Sequence, residues 1–214
     1  MCGRFTLTTA DVAALAREWA AEVDAAVAAA WRPRYNVAPG DAHLLLRDAG
    51  GRRLERASFG IPGRGGRLHL NARVETAATR PAFRDAWRAR RAAVPADGFF
   101  EWEGPGGARQ PIWFHRPDAR PLLLAALFDE GPVRPAFAIV TTAATGAVRA
   151  VHDRMPLLLA DDALAAWLAG GPPPPPAHGR ALAARPVSPR ANAVANDDPA
   201  CLAPRAPQRQ LRLL

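Results

Sequence analysis

Short apolar runs broken by turn residues fill most of this 214-residue chain, and they constrain its fold more than any other feature. "HLLLR" (His43 to Arg47), "RLERASFG" (Arg53 to Gly60), "RAAVP" (Arg91 to Pro95) and "GFFEWEG" (Gly98 to Gly104) read as strands. So do "PIWFH" (Pro111 to His115), "PLLLAALF" (Pro121 to Phe128), "AFAIVTT" (Ala136 to Thr142) and "MPLLLA" (Met155 to Ala160). Helical spacing predicts one long helix from about Thr9 to Ala30, capped by Thr8 or Thr9 and burying Val12, Leu15, Ala16, Trp19, Val23 and Val27. Two shorter helices are expected over Pro81 to Arg91 and Asp161 to Gly171, and Arg32 to Asp41 reads as an irregular loop. Strands outnumber helices and rarely alternate with them, which argues against a parallel βαβ fold. The expectation is an α+β fold with a central, mostly antiparallel, barrel-like sheet and peripheral helices.

The pattern predicts a single domain over residues 1–204, with a stiff proline-rich surface segment at 171–180 and a basic, mobile tail at 205–214. No apolar stretch approaches the ~20 residues that span a bilayer. No basic region followed by an apolar run opens the chain, so a cytoplasmic protein without a leader is expected, associated with the nucleoid when bound to DNA. Two cysteines do not make a disulfide framework. The formal net charge is +8, which suits a polyanionic partner. All 28 basic residues are arginine, and with many alanines and 22 prolines this also fits GC-rich coding, so charge alone leaves nucleic-acid binding open. Arginine stays protonated near neutral pH. In a lysine-free chain the α-amine, with an ordinary pKa of ~8, is therefore the aliphatic amine available for imine chemistry.

That places weight on "MCGRF". Removal of Met1 makes Cys2 N-terminal, with an amine and a thiol on adjacent carbons. Such a 1,2-aminothiol condenses with an aldehyde to an imine, and the thiol then closes a five-membered thiazolidine. An N-terminal cysteine also serves as an amidohydrolase nucleophile with its own amine as base. The bland alternative is an inert cysteine near a loose chain end. Both chemistries need helpers. Glu101 in "FFEWEG" sits between aromatics that would raise its pKa, although a solvent-facing pair with Glu103 on an edge strand is equally compatible. Strict alternation puts Phe99, Glu101 and Glu103 on one face and Phe100 and Trp102 on the other. His152 in "VHDRMP" follows a turn, and Asn71, Arg73 and Glu75 alternate in "NARVE", lining either a polar pocket or a wet strand face.

The five histidines are scattered without metal-ligand spacing, and no phosphate-loop or dinucleotide fingerprint occurs, so no metal and no cofactor are expected. "GRGGR" (Gly63 to Arg67) reads as a flexible basic loop. Arg4, Arg32, Arg34, Arg73 and Arg154 fall among Phe5, Trp31, Tyr35 and Phe59, the residue types of single-strand binding. Spacing alone does not place them in one groove.

Taken in order, "MCGRF", "PRYNVAPG", "FGIP", "NARVET…RPAF", "VPADGFFEW", "TTAATGAV", "VHDRMPLLL" and "PVS" resemble the SOS-response-associated peptidase (SRAP) family, the abasic-site processing proteins, from the first residue to about Ala200. A monomer is the default expectation, and the resemblance implies capture of abasic sites in single-stranded DNA as a thiazolidine crosslink. It implies Cys2 as nucleophile, Asn71 orienting the N-terminal residue or the sugar, Glu101 shuttling protons, and His152 binding the opened sugar hydroxyl. Arg4, Arg73 and Arg154 would hold phosphates, with Arg34 and Phe59 completing the DNA contacts. The chain departs from the family pattern at Asp41 (usually Gln), Phe59-Gly60-Ile61 (Trp-Gly-Leu), Phe100 (Tyr) and Thr145 (Asn). A thiol peptidase or amidohydrolase, including self-removal of Met1, and a non-catalytic single-strand binder stand as alternatives.

Overall fold

Strand sequences without polar alternation need cover on both faces, and the fold supplies it in layers. A computed structural model describes residues 2–105, 109–131, 133–175 and 181–205. The chain runs β1 (Phe5–Leu7), α1 (Val12–Glu18), β2 (Glu22–Val23), α2 (Ala25–Ala30), β3 (Arg34–Val37), β4 (Ala42–Asp48) and β5 (Arg52–Phe59). A small hairpin, β6 (Ile61–Pro62) and β7 (Leu68–His69), leads to β8 (Asn71–Arg73), α3 (Arg84–Ala89), β9 (Arg91–Ala96) and β10 (Gly98–Glu103). Then come β11 (Gln110–His115), β12 (Leu122–Asp129), β13 (Ala136–Ala143) and α4 (Gly146–Arg149). β14 (Arg154–Pro156), β15 (Leu158–Leu159), α5 (Asp161–Leu168) and β16 (Ala183–Pro186) complete the elements.

Two principal sheets replace the one central sheet expected. The first is antiparallel, in the order β16-β11-β10-β1-β3. The second runs β14-β13-β12-β9-β4-β5-β2, and a short parallel pairing of Ala136 and Phe137 with Ser58 and Phe59 joins β13 back to β5, so five strands close a ring. Alternation sorts its side chains. Leu44, Leu46, Ala93, Leu123, Ala125 and Leu127 face outward onto α1, α3 and α5. Leu45, Phe59, Val94, Leu124, Ala126, Phe137 and Ile139 face a second core shared with Cys2, Phe5, Phe99 and Phe114 of the first sheet. A third, small core of Phe100, Val187, Ala191 and Cys201 lies on the far face of that sheet. The chain passes from the ring into the first sheet at Asp97, between β9 and β10. This corner is fastened by Thr8, whose backbone N–H donates to Asp97 Oδ2 at 2.6 Å, and by the Thr6 hydroxyl. The fold is α+β and mostly sheet. Among the described residues no helix is long and apolar enough to cross a membrane.

The long first helix is corrected to two. Asp11, not a threonine, caps α1, its carboxylate accepting from Ala14 N at 2.8 Å. The helix stops where Ala20 takes a left-handed φ of 49°. Glu22 and Val23 then pair in parallel with Arg53 and Leu54, and Asp24 caps a new start by accepting from Ala26 N at 2.7 Å. The expected loop at Arg32 to Asp41 contains β3, which pairs with β1. Residues 176–180 of the proline-rich segment and 206–214 of the basic tail lie outside the described residues.

Candidate active site

Strand β1 delivers the start of the chain to the seam between the sheets. Phe5 pairs with Phe99, and Arg4 O accepts from Phe100 N at 3.0 Å, so the residues before the strand are held against β10. Cys2 has no solvent exposure. Its carbonyl accepts a hydrogen bond from Asn71 Nδ2 at 2.8 Å. Asn71 is held in turn by β8, which lies parallel to β13 in the register Asn71 with Ile139. The other amide atom, Asn71 Oδ1, is buried and has no partner among the described residues.

Glu101 is 3% exposed and lies on the Phe99 face of β10, the face that Cys2 packs against. β10 is an inner strand between β1 and β11, so the solvent-facing edge pair is excluded for Glu101, while Glu103 is exposed at the strand end. Burial raises the Glu101 pKa, and His152 pulls it down. Burial also drives the Cys2 thiol far up, helped by the Glu101 charge. Cys2, Glu101 and His152 are thus electrostatic neighbours, and Asn71 is bonded to the first of them.

His152 sits in a loop pinned at both ends. Its N–H donates to Val148 O at 2.9 Å, and Ala144 N donates to Asp153 O at 2.9 Å. Arg154 holds the loop to the "NARVE" segment, its Nη1 and Nη2 donating to Glu75 Oε1 and Oε2 at 2.7 and 2.9 Å and Nη2 also to Thr141 O at 2.7 Å. This ties the segment carrying Asn71 to the segment carrying His152. Arg73 is exposed beside them.

The remaining arginines divide. Arg4 Nη1 donates to Asn36 Oδ1 at 2.9 Å and Ala191 O at 3.0 Å, and its guanidinium lies 5.7 Å from the Trp102 ring centroid. Arg34 is spent inside the fold, paired with Asp41 at 2.6 Å and with Asp197. Phe59 is fully buried and stacked on Phe137 at 5.3 Å between centroids, so it offers no surface to a base, and the expected contact is corrected. Three other side chains take the open and supporting places. Trp102 and Arg109, with Gly3, Arg4, Pro39, Asn192 and Val194, line an open groove of about 450 Å3 beside the N-terminal residues. Buried Asn36 anchors Arg4 and donates from Nδ2 to Ala193 O and Asn196 O at 3.1 and 2.8 Å. Trp102 and Asn36 lie in segments whose type was visible, "FEW" and "RYNV", but their partners in 187–204 have no local signature. Among the described residues no three His, Cys, Asp or Glu side chains gather as metal ligands.

Comparison with known proteins places this chain in a family. Residues 1–194 match the family described as SOS response associated peptidase (SRAP). The chain is 38% identical over 179 residues to the abasic site processing protein YedK of Escherichia coli K12, covering 78% of this chain and 79% of that one. It is 29% identical over 182 residues to the abasic site processing protein YoaM of Bacillus subtilis, covering 78% and 79%. A crystal structure of a phage-related protein from Bordetella bronchiseptica superposes with a TM-score of 0.67 at 29% identity, covering 87% of this chain and 94% of that one. A protein from Bacteroides thetaiotaomicron shares the fold, with a TM-score of 0.75 at 18% identity over 96% of this chain and 100% of that one.

Proposed function

The chain belongs to the SOS response associated peptidase family, and we propose that it processes abasic sites by capturing their aldehyde covalently in single-stranded DNA. The observation that carries this reading is the Asn71 bond to the Cys2 carbonyl beside buried Glu101. It fixes the backbone of the one residue that, after loss of Met1, holds both an amine and a thiol.

The steps follow from the residues. The Cys2 amine adds to the aldehyde carbon of the opened sugar. Glu101, its pKa raised by burial, gives a proton to the departing hydroxyl, releasing one water and leaving an iminium. The buried Cys2 thiol keeps its proton until the Glu101 carboxylate takes it. The sulfur then bonds to the iminium carbon, and the ring nitrogen retains one hydrogen. Aminothiol and aldehyde become thiazolidine and water, and Glu101 ends as it began. His152 handles the sugar hydroxyl proton during ring opening. The groove of Arg4, Trp102 and Arg109 suits a strand that presents phosphates to guanidiniums and a base to the indole.

The test is incubation with single-stranded DNA carrying one abasic site, beside a strand carrying a tetrahydrofuran analogue that has no aldehyde. An adduct that survives denaturation is expected with the first alone, and its intact mass should lack Met1. Adducts to both strands, or a crosslinked chain that retains Met1, would contradict the chemistry. Binding to both without an adduct would leave a single-strand binder, and cleavage of an unrelated peptide, lost with Cys2, a thiol amidohydrolase. Glu101→Gln keeps the volume but neither gives nor takes the proton. Crosslinking should slow on the order of 10²-fold, as for loss of a general acid–base, with strand affinity preserved in a gel-shift measurement.

A further inference from the structure

The side chain of Asp153 is 83% exposed, yet its Oδ1 lies 2.9 Å from Nδ1 of His152. The same nitrogen accepts the backbone N–H of Arg154, also at 2.9 Å. These partners demand opposite things. The Arg154 N–H needs a lone pair on Nδ1, whereas the Asp153 carboxylate needs a proton there. A neutral imidazole satisfies one and fails the other, and choosing between them moves its single proton from one ring nitrogen to the other.

We propose that Asp153 is a positioning residue that holds His152 in balance between its two neutral tautomers, so that Nε2 meets the substrate as a proton acceptor in one and a donor in the other. The inference rests on the capture reading given above. Ring opening of the abasic sugar removes a proton from the anomeric hydroxyl and supplies one to the ring oxygen, so a group that changes role without moving suits it. With Nδ1 protonated and bonded to Asp153, Nε2 takes the hydroxyl proton. The Nδ1 proton then leaves to solvent past the exposed carboxylate, and the neutral ring that remains carries its proton on Nε2, with Nδ1 bonded to Arg154. Nε2 then gives its proton to the ring oxygen as the C–O bond of the sugar ring breaks and the carbonyl forms, while Nδ1 regains a proton from water. The net change is one proton moved from hydroxyl to ring oxygen, and the imidazole ends in its starting tautomer.

The loop geometry supports a change of proton rather than of position. The backbone is bonded on both sides of the ring, at Val148 O and through Asp153 O, and the Arg154 side chain is clamped to Glu75 and Thr141. The other charge acting here is that of Glu101 on β10, which interacts with both His152 and Asp153. Asp153 sets an exposed carboxylate between a partly exposed ring and bulk water.

The test labels histidine with ¹⁵N in the full chain and reads the His152 tautomer from its ring-nitrogen shifts, assigned by comparison with His152→Gln. In the wild type both tautomers should contribute. Asp153→Ala, at an exposed position, should shift His152 to the form protonated on Nε2 and slow crosslinking about tenfold, equivalent to ~1.4 kcal/mol. Asp153→Glu should restore both the shifts and the rate. An Asp153→Ala protein with unchanged ring shifts, or one slowed without recovery in Asp153→Glu, overturns the inference. A wild-type chain that forms no adduct would overturn the capture reading instead, and the tautomer measurement would still decide this one.

Discussion

Replacing Cys2 by alanine is expected to abolish the heat-stable adduct with abasic single-stranded DNA while leaving an adduct that only hydride reduction preserves. Alanine at position 2 is small enough for Met1 to be removed, so the variant still presents an α-amine with an ordinary pKa of ~8. That amine can form an imine, but an imine without the sulfur hydrolyses when the protein is denatured. Borohydride added during the reaction reduces it to a stable amine. The chain has no lysine to supply a competing imine, so any trapped product reports on the N-terminus. The Asn71 bond is to the Cys2 carbonyl, which alanine keeps, so the backbone stays in register. Losing one buried sulfur atom costs about 1 kcal/mol of packing, too little to unfold the domain. Denaturing gels with and without borohydride separate the outcomes. A heat-stable adduct at wild-type yield from Cys2→Ala would remove sulfur from the mechanism.

The proposed chemistry was legible because it depends on residue type and chain position. Cys2 stood out by where it lies and Glu101 by its aromatic neighbours, and the alternation that put Glu101 with Phe99 is the alternation observed. "LLL", "LLLAAL" and "AFAIV" read as strands from their apolar runs between turn residues, but that a ring of strands would bury them on both faces was not visible. What stayed hidden depends on partners far along the chain. β3 lies at the edge of its sheet, and the Asp197 carboxylate satisfies the N–H groups of Tyr35 and Asn36 at 2.6 and 2.8 Å, as a neighbouring strand would. The same aspartate takes up Arg34, which is why that guanidinium is not offered to a phosphate. Likewise, alanine-rich spacing continues a helix through Ala20 and Ala21 on propensity alone, and the pairing of Glu22 and Val23 with β5 overrides it.

Acid should destabilise this fold through His43, a residue the capture chemistry does not use. His43 is fully buried in β4, with the Phe5 ring at 4.8 Å and the Trp31 ring at 5.4 Å between centroids. Its Nε2 donates to Pro95 O at 2.8 Å, and Nδ1 is buried without a partner among the described residues. A carbonyl only accepts, so the proton resides on Nε2. Charging the ring would place a new donor where no acceptor waits. Burial lowers the pKa from 6.5 to about 3, against the hydrogen bond to Pro95, which raises it; Arg34 lowers it further and Asp197 opposes that. The unfolded chain therefore takes up a proton below about 6.5 that the folded chain refuses until about 3. The stability from this group is complete above that upper value and is lost as pH falls, by about 1.4 kcal/mol per pH unit. Glu75, Asp118 and Asp198 are held below the usual carboxylate range by Arg154, Arg116 and Arg190, so their losses enter at lower pH. Between about pH 6.5 and 4.5, urea titrations should show the wild type losing about 2 to 3 kcal/mol more than His43→Leu. The leucine variant starts lower at neutral pH, because Pro95 O loses its donor, so the slope and not the starting value decides. Parallel slopes in the two proteins would place the acid sensitivity in another group.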